Sequence, residues 1–271
     1  MTASKAKALM QITELDVSIG ERKLISELNL TIRGGESWGL LGKNGAGKTT
    51  LLHTLARLRP WQGGGIDLQG KPINQLDRRE VALRIGLLFQ DGLSLVTSTV
   101  LESAMLGRYP HQHSWLWDDQ ADVGIVKAAL AEFKLLDLAE RRIDTLSGGE
   151  LQRLALARLV AQSPVLFLLD EPSNHLDIAH QLTGLLALRS RVMQDQATML
   201  MTTHDINLAS RICDHVLLLK EDGAYEAGAA AQVLTENNLS SAYDCEIRRI
   251  DSDAGVFFTP VTSNPTSDSM P

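Results

Sequence analysis

The sequence predicts an α/β fold with a mostly parallel sheet, an antiparallel β subdomain at the N-terminus and an inserted α-helical subdomain. Short apolar runs of strand character alternate with helical stretches in the second half of the chain, which is typical of β-α-β units. A glycine-rich turn stands between a strand-like run and a helix-like run. Between positions 91 and 145, strand-like runs disappear and apolar residues recur at helical spacing. Examples of that spacing are Val126, Ala129, Leu130 and Phe133.

The strands are predicted from short apolar runs bounded by turn residues. Strands 12–19 and 28–32 are joined by the polar turn 20–23, so they should pair in the N-terminal subdomain. Strand 37–41 ends at the glycine-rich turn. After the first helix, the segment 61–65 is rich in glycine and predicts a flexible loop. The remaining predicted strands are 66–68, 85–89, 165–169, 198–203 and 216–220.

The length of 271 residues, with 44% hydrophobic residues, suits one large α/β domain that carries a small insertion. We expect a single domain over 1–258, with the helical subdomain inserted at about 91–160. The end of the chain, 259–271, is rich in Pro, Ser and Thr and has no apolar period. It therefore predicts a disordered tail.

The formal net charge is −7 and there is no long Lys/Arg run, which argues against a nucleic-acid partner. Cys213 and Cys245 lie far apart without metal-ligand spacing, so we expect two reduced thiols in a cytosolic protein. The N-terminus lacks the apolar segment of a secretion signal. Because no apolar run approaches the ~18 residues of a membrane span, any work at a membrane would require another chain to cross it.

Residues 42–49 read Gly-Lys-Asn-Gly-Ala-Gly-Lys-Thr, which fits G-x-x-x-x-G-K-[ST] at every fixed position. We call this segment the phosphate loop. Its glycines allow a tight turn whose N–H groups point into one concavity, and a helix with apolar residues at Leu51, Leu52, Leu55 and Leu58 follows. Lys48 is expected to reach the β- and γ-phosphates and Thr49 to hold Mg²⁺. The alternative, a chance glycine-rich turn, is disfavoured by the flanking strand and helix.

Residues 165–171 form an apolar strand that delivers Asp170 and Glu171 at its C-terminal end, where ligands bind in parallel sheets. Asp170 is expected to hold Mg²⁺, and Glu171 to orient and polarise the attacking water. The alternative for adjacent carboxylates is the N-cap of a following helix, because Pro172 suits a first helical turn. A phosphate loop elsewhere in the chain favours the magnesium interpretation.

Residues 146–150, Leu-Ser-Gly-Gly-Glu, form a second glycine-rich turn that opens a second helix, and we call them the signature turn. Because the free N–H groups at a helix N-terminus favour negative charge, the turn predicts a second anion site. A plain turn or C-cap is the alternative. One nucleotide does not need two such sites from one subunit. A symmetric dimer, in which each copy closes over the nucleotide of the other, would use both.

His204 and Gln90 each follow an apolar strand on the presumed ligand edge of the sheet. His204 could contact a γ-phosphate, and Gln90 could sense Mg²⁺ or the attacking water. A structural histidine and an exposed amide are the respective alternatives.

Taken together, these motifs resemble the ATP-binding subunit of an ABC transporter, which has a P-loop NTPase core. Residues 42–50 resemble the Walker A loop, Gln90 the Q-loop glutamine, and the signature turn the family signature. Residues 165–171 resemble Walker B, 174–177 the D-loop, and His204 the switch histidine. The resemblance covers about 11–250, and a signature that precedes Walker B is specific to this family.

The resemblance implies ATP and Mg²⁺ as ligands and a head-to-tail homodimer that binds two ATP molecules at its interface. It implies catalytic roles for Glu171, His204 and Gln90, and a metal site at Thr49, Gln90 and Asp170. The implied ATP-binding residues are Ile19, Gly42, Lys43, Asn44, Gly45, Ala46, Gly47, Lys48, Thr49, Thr50, Ser147, Gly148, Gly149, Glu150 and Asp177.

The resemblance also implies transmembrane permease subunits, whose helices dock in a groove near Gln90. The subunit would then lie peripherally on the cytoplasmic side of the inner membrane and serve a solute-binding protein indirectly. The segment 107–112 and the compact length resemble importers of iron chelates, haem and vitamin B12. Tyr109, Trp115 and Trp117 either face the membrane partner or fill the core of the helical subdomain.

Two positions depart from the family pattern. Ile19 stands where the family usually stacks an aromatic ring on adenine, which loses roughly 1 kcal/mol and predicts looser base selectivity. Glu150 replaces the commoner Gln, but a carboxylate near a helix N-terminus suits the helix dipole.

Three functions are compatible with a phosphate loop. The favoured one is an ATPase that powers import of an iron-siderophore, haem or cobalamin, with an ABC transporter for another solute as an alternative. A soluble ABC-type ATPase of DNA repair or translation usually has two cassettes, coiled-coil insertions, zinc cysteines or basic linkers, and these are not found in this sequence. A small-molecule kinase is disfavoured by the signature turn and His204.

Overall fold

The computed structural model describes residues 8–90, 98–112, 120–172, 178–253 and 255–261. The strands are β1 Ala8–Ile19, β2 Arg22–Arg33, β3 Ser37–Leu41, β4 Gly63–Leu68, β5 Lys71–Pro72, β6 Ile85–Leu88, β7 Leu166–Leu169, β8 Thr198–Thr202, β9 His215–Leu219, β10 Tyr225–Ala229, β11 Ile247–Ser252 and β12 Gly255–Pro260. The helices are α1 Lys48–Leu55, α2 Arg78–Ala82, α3 Val100–Met105, α4 Gln120–Glu132, α5 Gly148–Gln162, α6 Ile178–Gln194, α7 Ile206–Ile212, α8 Ala230–Val233 and α9 Glu236–Tyr243.

The N-terminal strands form an antiparallel sheet of order β2-β1-β4-β5, as the sequence predicts. The prediction of a flexible loop over 61–65 is wrong for its last three residues, because Gly63, Gly64 and Gly65 belong to β4. Here β4 passes very close to a bulged part of β1. A Cβ on Gly64 would lie 2.2 Å from the carbonyl oxygen of Glu14, and Gly64 has a φ of +76°. Only glycine fits this approach.

The central sheet has the order β10-β9-β3-β8-β7-β6, and all its neighbours pair in parallel except the edge strand β10. The predicted mostly parallel sheet is confirmed. Every residue of β3, β7 and β8 is buried, which explains their continuous apolar runs. Because these three strands are neighbours, the segments that follow them meet at one edge of the sheet.

The first helix is shorter than its apolar spacing predicts. It ends at Leu55, and Arg57 adopts a left-handed φ of +58°. Leu58 is 57% exposed instead of packing in the core, so its predicted place on the buried face is wrong. The left-handed residue turns the chain out of the helix before Leu58 can face the sheet.

The helical character predicted after position 91 is present in α3, α4 and α5, and the last of these runs to Gln162. Val100, Val126, Leu130 and Leu154 pack together in one apolar cluster of these helices. Tyr109 is 69% exposed and therefore does not fill that core. Trp115 and Trp117 lie outside the described residues.

The C-terminal part contains elements that were not predicted. Helix α9 and the hairpin β11–β12 pack on β9 through a cluster that includes Leu218, Leu239 and Phe258. Thr259 and Pro260 are paired in β12, so the predicted tail begins too early; residues 262–271 are outside the described part. Within the described ranges, no helix has both the length and the apolar character needed to cross a membrane.

Candidate functional site

A cleft of about 700 Å³ lies at the C-terminal edge of the central sheet, beside the phosphate loop. It gathers residues from β1, the phosphate loop, α1 and the segments after β6, β7 and β8. Arg22 and Leu24 of β2 complete its wall and were not predicted. The predicted site residues that line it are Ile19, Asn44, Gly45, Gly47, Lys48, Thr49, Thr50, Gln90, Glu171 and His204.

Lys48 is the first residue of α1 and is buried. Its ammonium donates hydrogen bonds to the carbonyl oxygens of Gly42 at 2.7 Å and Lys43 at 3.1 Å. Burial lowers the pKa of Lys48, while the negative charges of Glu171 and Asp170 act in the opposite direction. A buried cation held by its own loop can exchange these carbonyls for phosphate oxygens.

The fold of the phosphate loop depends on glycine at its first position. Gly42 has a φ of +144°, and a Cβ there would lie 2.8 Å from the carbonyl oxygen of Leu219. The side chain of Lys43 forms ion pairs with Glu221 and Asp244, so only its carbonyl faces Lys48. The loop is therefore braced from outside the cleft by the C-terminal part of the chain.

Asp170 follows β7, is almost fully buried and accepts two hydroxyl hydrogen bonds through Oδ1. Thr49 donates at 3.0 Å and Thr202 at 2.7 Å. These bonds tie Asp170 to the first turn of α1 and to the end of β8. Carboxylate and hydroxyl oxygens 3.0 Å apart are ligands that Mg²⁺ accepts, so Thr49 and Asp170 fit a magnesium ion.

Thr202 was missed by the sequence analysis. Besides holding Asp170, its hydroxyl accepts the backbone N–H of Glu171 at 2.8 Å. Glu171 has a left-handed φ of +45°, which is uncommon for a non-glycine residue and marks a constrained position. The only signal in the sequence was a hydroxyl at the end of a buried strand.

The carboxylate of Glu171 and the ring of His204 face one another across the cleft. His204 Nδ1 lies 3.8 Å from Glu171 Oε2, and the His204 side chain is largely exposed. Gln90 lines the same cleft just after β6, and Ile19 stands at its rim, about half exposed. The cleft thus presents a cation, a hydroxyl bonded to the buried carboxylate of Asp170, and a carboxylate that a water molecule could reach.

The signature turn does not share the placement of the cleft residues. Ser147 is the N-cap of α5, and Gly148 and Gly149 are the first residues of that helix. The Glu150 carboxylate accepts the Ser147 hydroxyl at 2.8 Å and the Ser147 N–H at 2.7 Å. These hydrogen bonds lower the pKa of Glu150. The described residues that line the cleft do not include any part of the signature turn. Asp177 lies outside the described residues.

A strand, a phosphate loop and a helix, with a lysine in the loop and a carboxylate at the end of another parallel strand of the same sheet, define a P-loop nucleotide hydrolase. Residues 25–174 match the family described as ABC transporter. The chain belongs to this family, as an ATP-binding subunit with ATPase activity, and the resemblance predicted from the motifs is confirmed.

Individual relatives agree with this assignment. The chain is 35% identical over 253 residues to the Iron(3+)-hydroxamate import ATP-binding protein FhuC of Bacillus subtilis (strain 168), covering 93% of this chain and 91% of that protein. It is 35% identical over 253 residues to the Ferric enterobactin transport ATP-binding protein FepC of Escherichia coli (strain K12), covering 93% and 92%. A solved ABC transporter described as of metal-chelate type, in an inward-facing conformation, matches with a TM-score of 0.82 and 26% identity, covering 94% and 98%.

Proposed function

We propose that this chain is the subunit that drives import of an iron-siderophore, haem or cobalamin, bound peripherally at the cytoplasmic face of the inner membrane. The observation that carries the ATPase part is the cleft lined by Lys48, Thr49 and Glu171, with the buried Asp170 hydrogen-bonded to Thr49. The solute class is supported by relatives whose names specify import of ferric hydroxamate and ferric enterobactin.

In this proposal Lys48 leaves the carbonyls of Gly42 and Lys43 and binds the β- and γ-phosphates. Thr49, Asp170 and Gln90 hold Mg²⁺, which when bound would neutralise the charge that develops on the phosphates. Glu171 polarises the attacking water and His204 contacts the γ-phosphate. Thr202 maintains the relative position of the two carboxylates through its hydroxyl.

The head-to-tail homodimer is part of the proposal. The signature turn lies outside the cleft, although it carries a helix N-terminus that suits an anion. A second copy could supply its Ser147, Gly148, Gly149, Glu150 and Asp177 to the nucleotide. Each of the two ATP molecules would then be enclosed by both subunits.

A groove of about 320 Å³ between the central sheet and the helical region is the proposed docking site of a permease helix, and we call it the partner groove. Three large apolar side chains in it are exposed: Phe89, Leu106 and Tyr109. Arg158 is the only charged residue among its described lining residues, and burial lowers the pKa of its guanidinium. The groove therefore fits a helix that carries apolar residues and one acidic side chain.

Transport tests the proposed function directly. The chain is co-expressed with candidate permease subunits from the same genome, and the purified complex is placed in proteoliposomes. Uptake of a ⁵⁵Fe-hydroxamate, haem and cobalamin is then measured with ATP on the side of this subunit. We expect uptake of one of these solutes. ATP hydrolysis without uptake of any of them would contradict the solute class.

Glu171→Gln is the matched control for that experiment, because it keeps the shape and hydrogen-bonding reach of the side chain. We expect ATP affinity to stay unchanged, kcat to fall by about 10²–10⁴-fold, and uptake to stop. The variant should also accumulate as a dimer in saturating ATP, measured by sedimentation. A variant that stays monomeric there would contradict the shared nucleotide site.

A further inference from the structure

His53 is a partly buried histidine that the proposed hydrolysis does not use. It lies on α1, one helical turn after Thr49. Its Nε2 is buried without a hydrogen-bond partner and lies 4.0 Å from Oδ2 of Asp170. A buried ring nitrogen with no partner is uncommon in folded proteins and calls for a physical reason.

The His53 ring also contacts Phe89, which lines the partner groove. It packs edge-on against Phe89, with ring centroids 5.6 Å apart and an interplanar angle of 65°. Phe89 is 48% exposed and lines both the partner groove and a neighbouring cavity beside Arg57 and Leu58. His53 therefore stands between a surface aromatic ring and the carboxylate that fits magnesium.

The two oxygens of Asp170 are held unequally. Oδ1 accepts hydrogen bonds from Thr49 and Thr202, so its position is defined by two hydroxyls. Oδ2 lies 4.0 Å from Nε2 of His53, and shortening this distance by roughly 1 Å would form a hydrogen bond. A small displacement of the imidazole is therefore enough to fix the orientation of the second oxygen.

We propose that His53 is a positioning residue that connects the partner groove to the metal-binding carboxylate: Phe89 orients the ring, and the ring N–H orients Oδ2 of Asp170. A helix seated in the partner groove presses on Phe89 and, through His53, improves the geometry of the metal site. Only this last step rests on the proposed function, since in the isolated chain His53 already packs against Phe89 and places Nε2 4.0 Å from Oδ2 of Asp170.

The test uses the isolated full chain, Mn²⁺ and AMP-PNP, with metal affinity measured by electron paramagnetic resonance. His53→Phe keeps a ring against Phe89 but removes the N–H, and we expect about 10-fold weaker Mn²⁺ binding, in line with other outer-sphere partners of metal ligands. His53→Gln restores an N–H and should recover most of the affinity. Wild-type Mn²⁺ affinity in His53→Phe would overturn the proposal.

A matched control exists in the same chain. His215 also has a buried, unpartnered ring nitrogen and stacks on an aromatic ring, Trp38, at 4.7 Å, but it stands at the start of β9, away from the cleft. His215→Phe should lower the melting temperature as much as His53→Phe does while leaving Mn²⁺ affinity unchanged. An equal loss of Mn²⁺ affinity in both variants would show a general packing effect and overturn the proposal.

The role of Phe89 is tested by a double-mutant cycle with the same readout. Phe89→Ala alone should weaken Mn²⁺ binding, whereas adding it to His53→Phe should have no further effect. Ile250→Ala removes a similarly exposed apolar side chain on β11 and should change nothing. If the two substitutions weakened Mn²⁺ binding independently, so that their fold-changes multiplied, the proposed connection between Phe89 and His53 would be overturned. Because no permease is present, a failed transport assay would leave this result standing.

Discussion

Two glycine-rich turns of this chain each open a helix, yet they are held in different ways. The phosphate loop is built into the fold: Lys48 is buried, Gly42 packs against β9, and Thr49 is bonded to Asp170 of another strand. The signature turn is satisfied locally, because Ser147 and Glu150 form a reciprocal capping box within one helical turn.

This difference assigns nucleotide binding to the phosphate loop and completion of the nucleotide site to the signature turn. The phosphate loop has its metal-binding partners within the same chain, so one subunit can bind a nucleotide. The described lining of the cleft includes no side chain of the signature turn, and Ser147 and Gly148 at its helix N-terminus are exposed. Variants in the two turns should therefore affect different quantities.

The largest effect on nucleotide binding is expected from Lys48→Ala. It removes the buried ammonium and its charge-assisted bonds to phosphate, so we expect ATP affinity to fall by about 100-fold, measured by calorimetry. Lys220→Ala, which breaks the surface ion pair with Glu226, serves as the control and should leave affinity unchanged. Unchanged affinity in Lys48→Ala would count against its phosphate role.

Ser147→Ala should leave ATP affinity of the monomer intact but lower ATPase activity and ATP-dependent dimerisation by about 10-fold. It also removes an N-cap, which costs about 1 kcal/mol of stability. Thr99→Ala is the matched control because Thr99 and Glu102 form the same capping box on α3. Both variants should lose similar stability in urea, and only Ser147→Ala should lose dimerisation. An equal loss of activity in Ser147→Ala and Thr99→Ala would show that Ser147 acts only as an N-cap.

The sequence was enough to predict which residues stand on the ligand edge of the sheet. Asp170, His204 and Gln90 each follow an apolar run, and parallel strands end at the same edge. What it could not predict is which strand neighbours which. The bonds of Thr202 to Asp170 and Glu171 exist because β7 and β8 are adjacent, and that order is a property of the folded sheet.

The errors also have a physical cause. Residues 63–65 have no side chains and predict a loop, but they lie in a strand, where the close approach of β1 makes glycine necessary at Gly64. Leu58 fits the apolar period of α1, but the left-handed Arg57 ends the helix first. Thr259 and Pro260 have no apolar pattern, and the pairing of β11 with β12 orders them. Tertiary contacts decide all three cases.

A smaller effect is expected from Thr202→Val, which keeps the shape of the side chain but removes the hydroxyl between Asp170 and Glu171. The Glu171 N–H then loses its acceptor, and we expect kcat to fall by about 10-fold because the two carboxylates lose their common anchor. Thr198→Val is the control on the same strand: its hydroxyl bonds to Arg33 at the far end of β8. It should cost similar stability, about 1–3 kcal/mol, without the loss of kcat.

The smallest effect concerns Glu150, whose pKa is lowered, chiefly by the Ser147 N–H and then by the Ser147 hydroxyl. A carboxyl whose pKa is lowered in the folded state stabilises the fold at pH values above its ordinary pKa of 4.5. This contribution is lost as the pH falls through the folded-state pKa. Glu150→Gln should therefore be less stable than the wild type at pH 7, by at most about 1 kcal/mol for a solvent-screened charge at a helix N-terminus. The difference should vanish in acid, below that pKa. Urea unfolding of both proteins at neutral and acidic pH measures it, and a difference independent of pH would show that shape, not charge, makes Glu150 suitable for the signature turn.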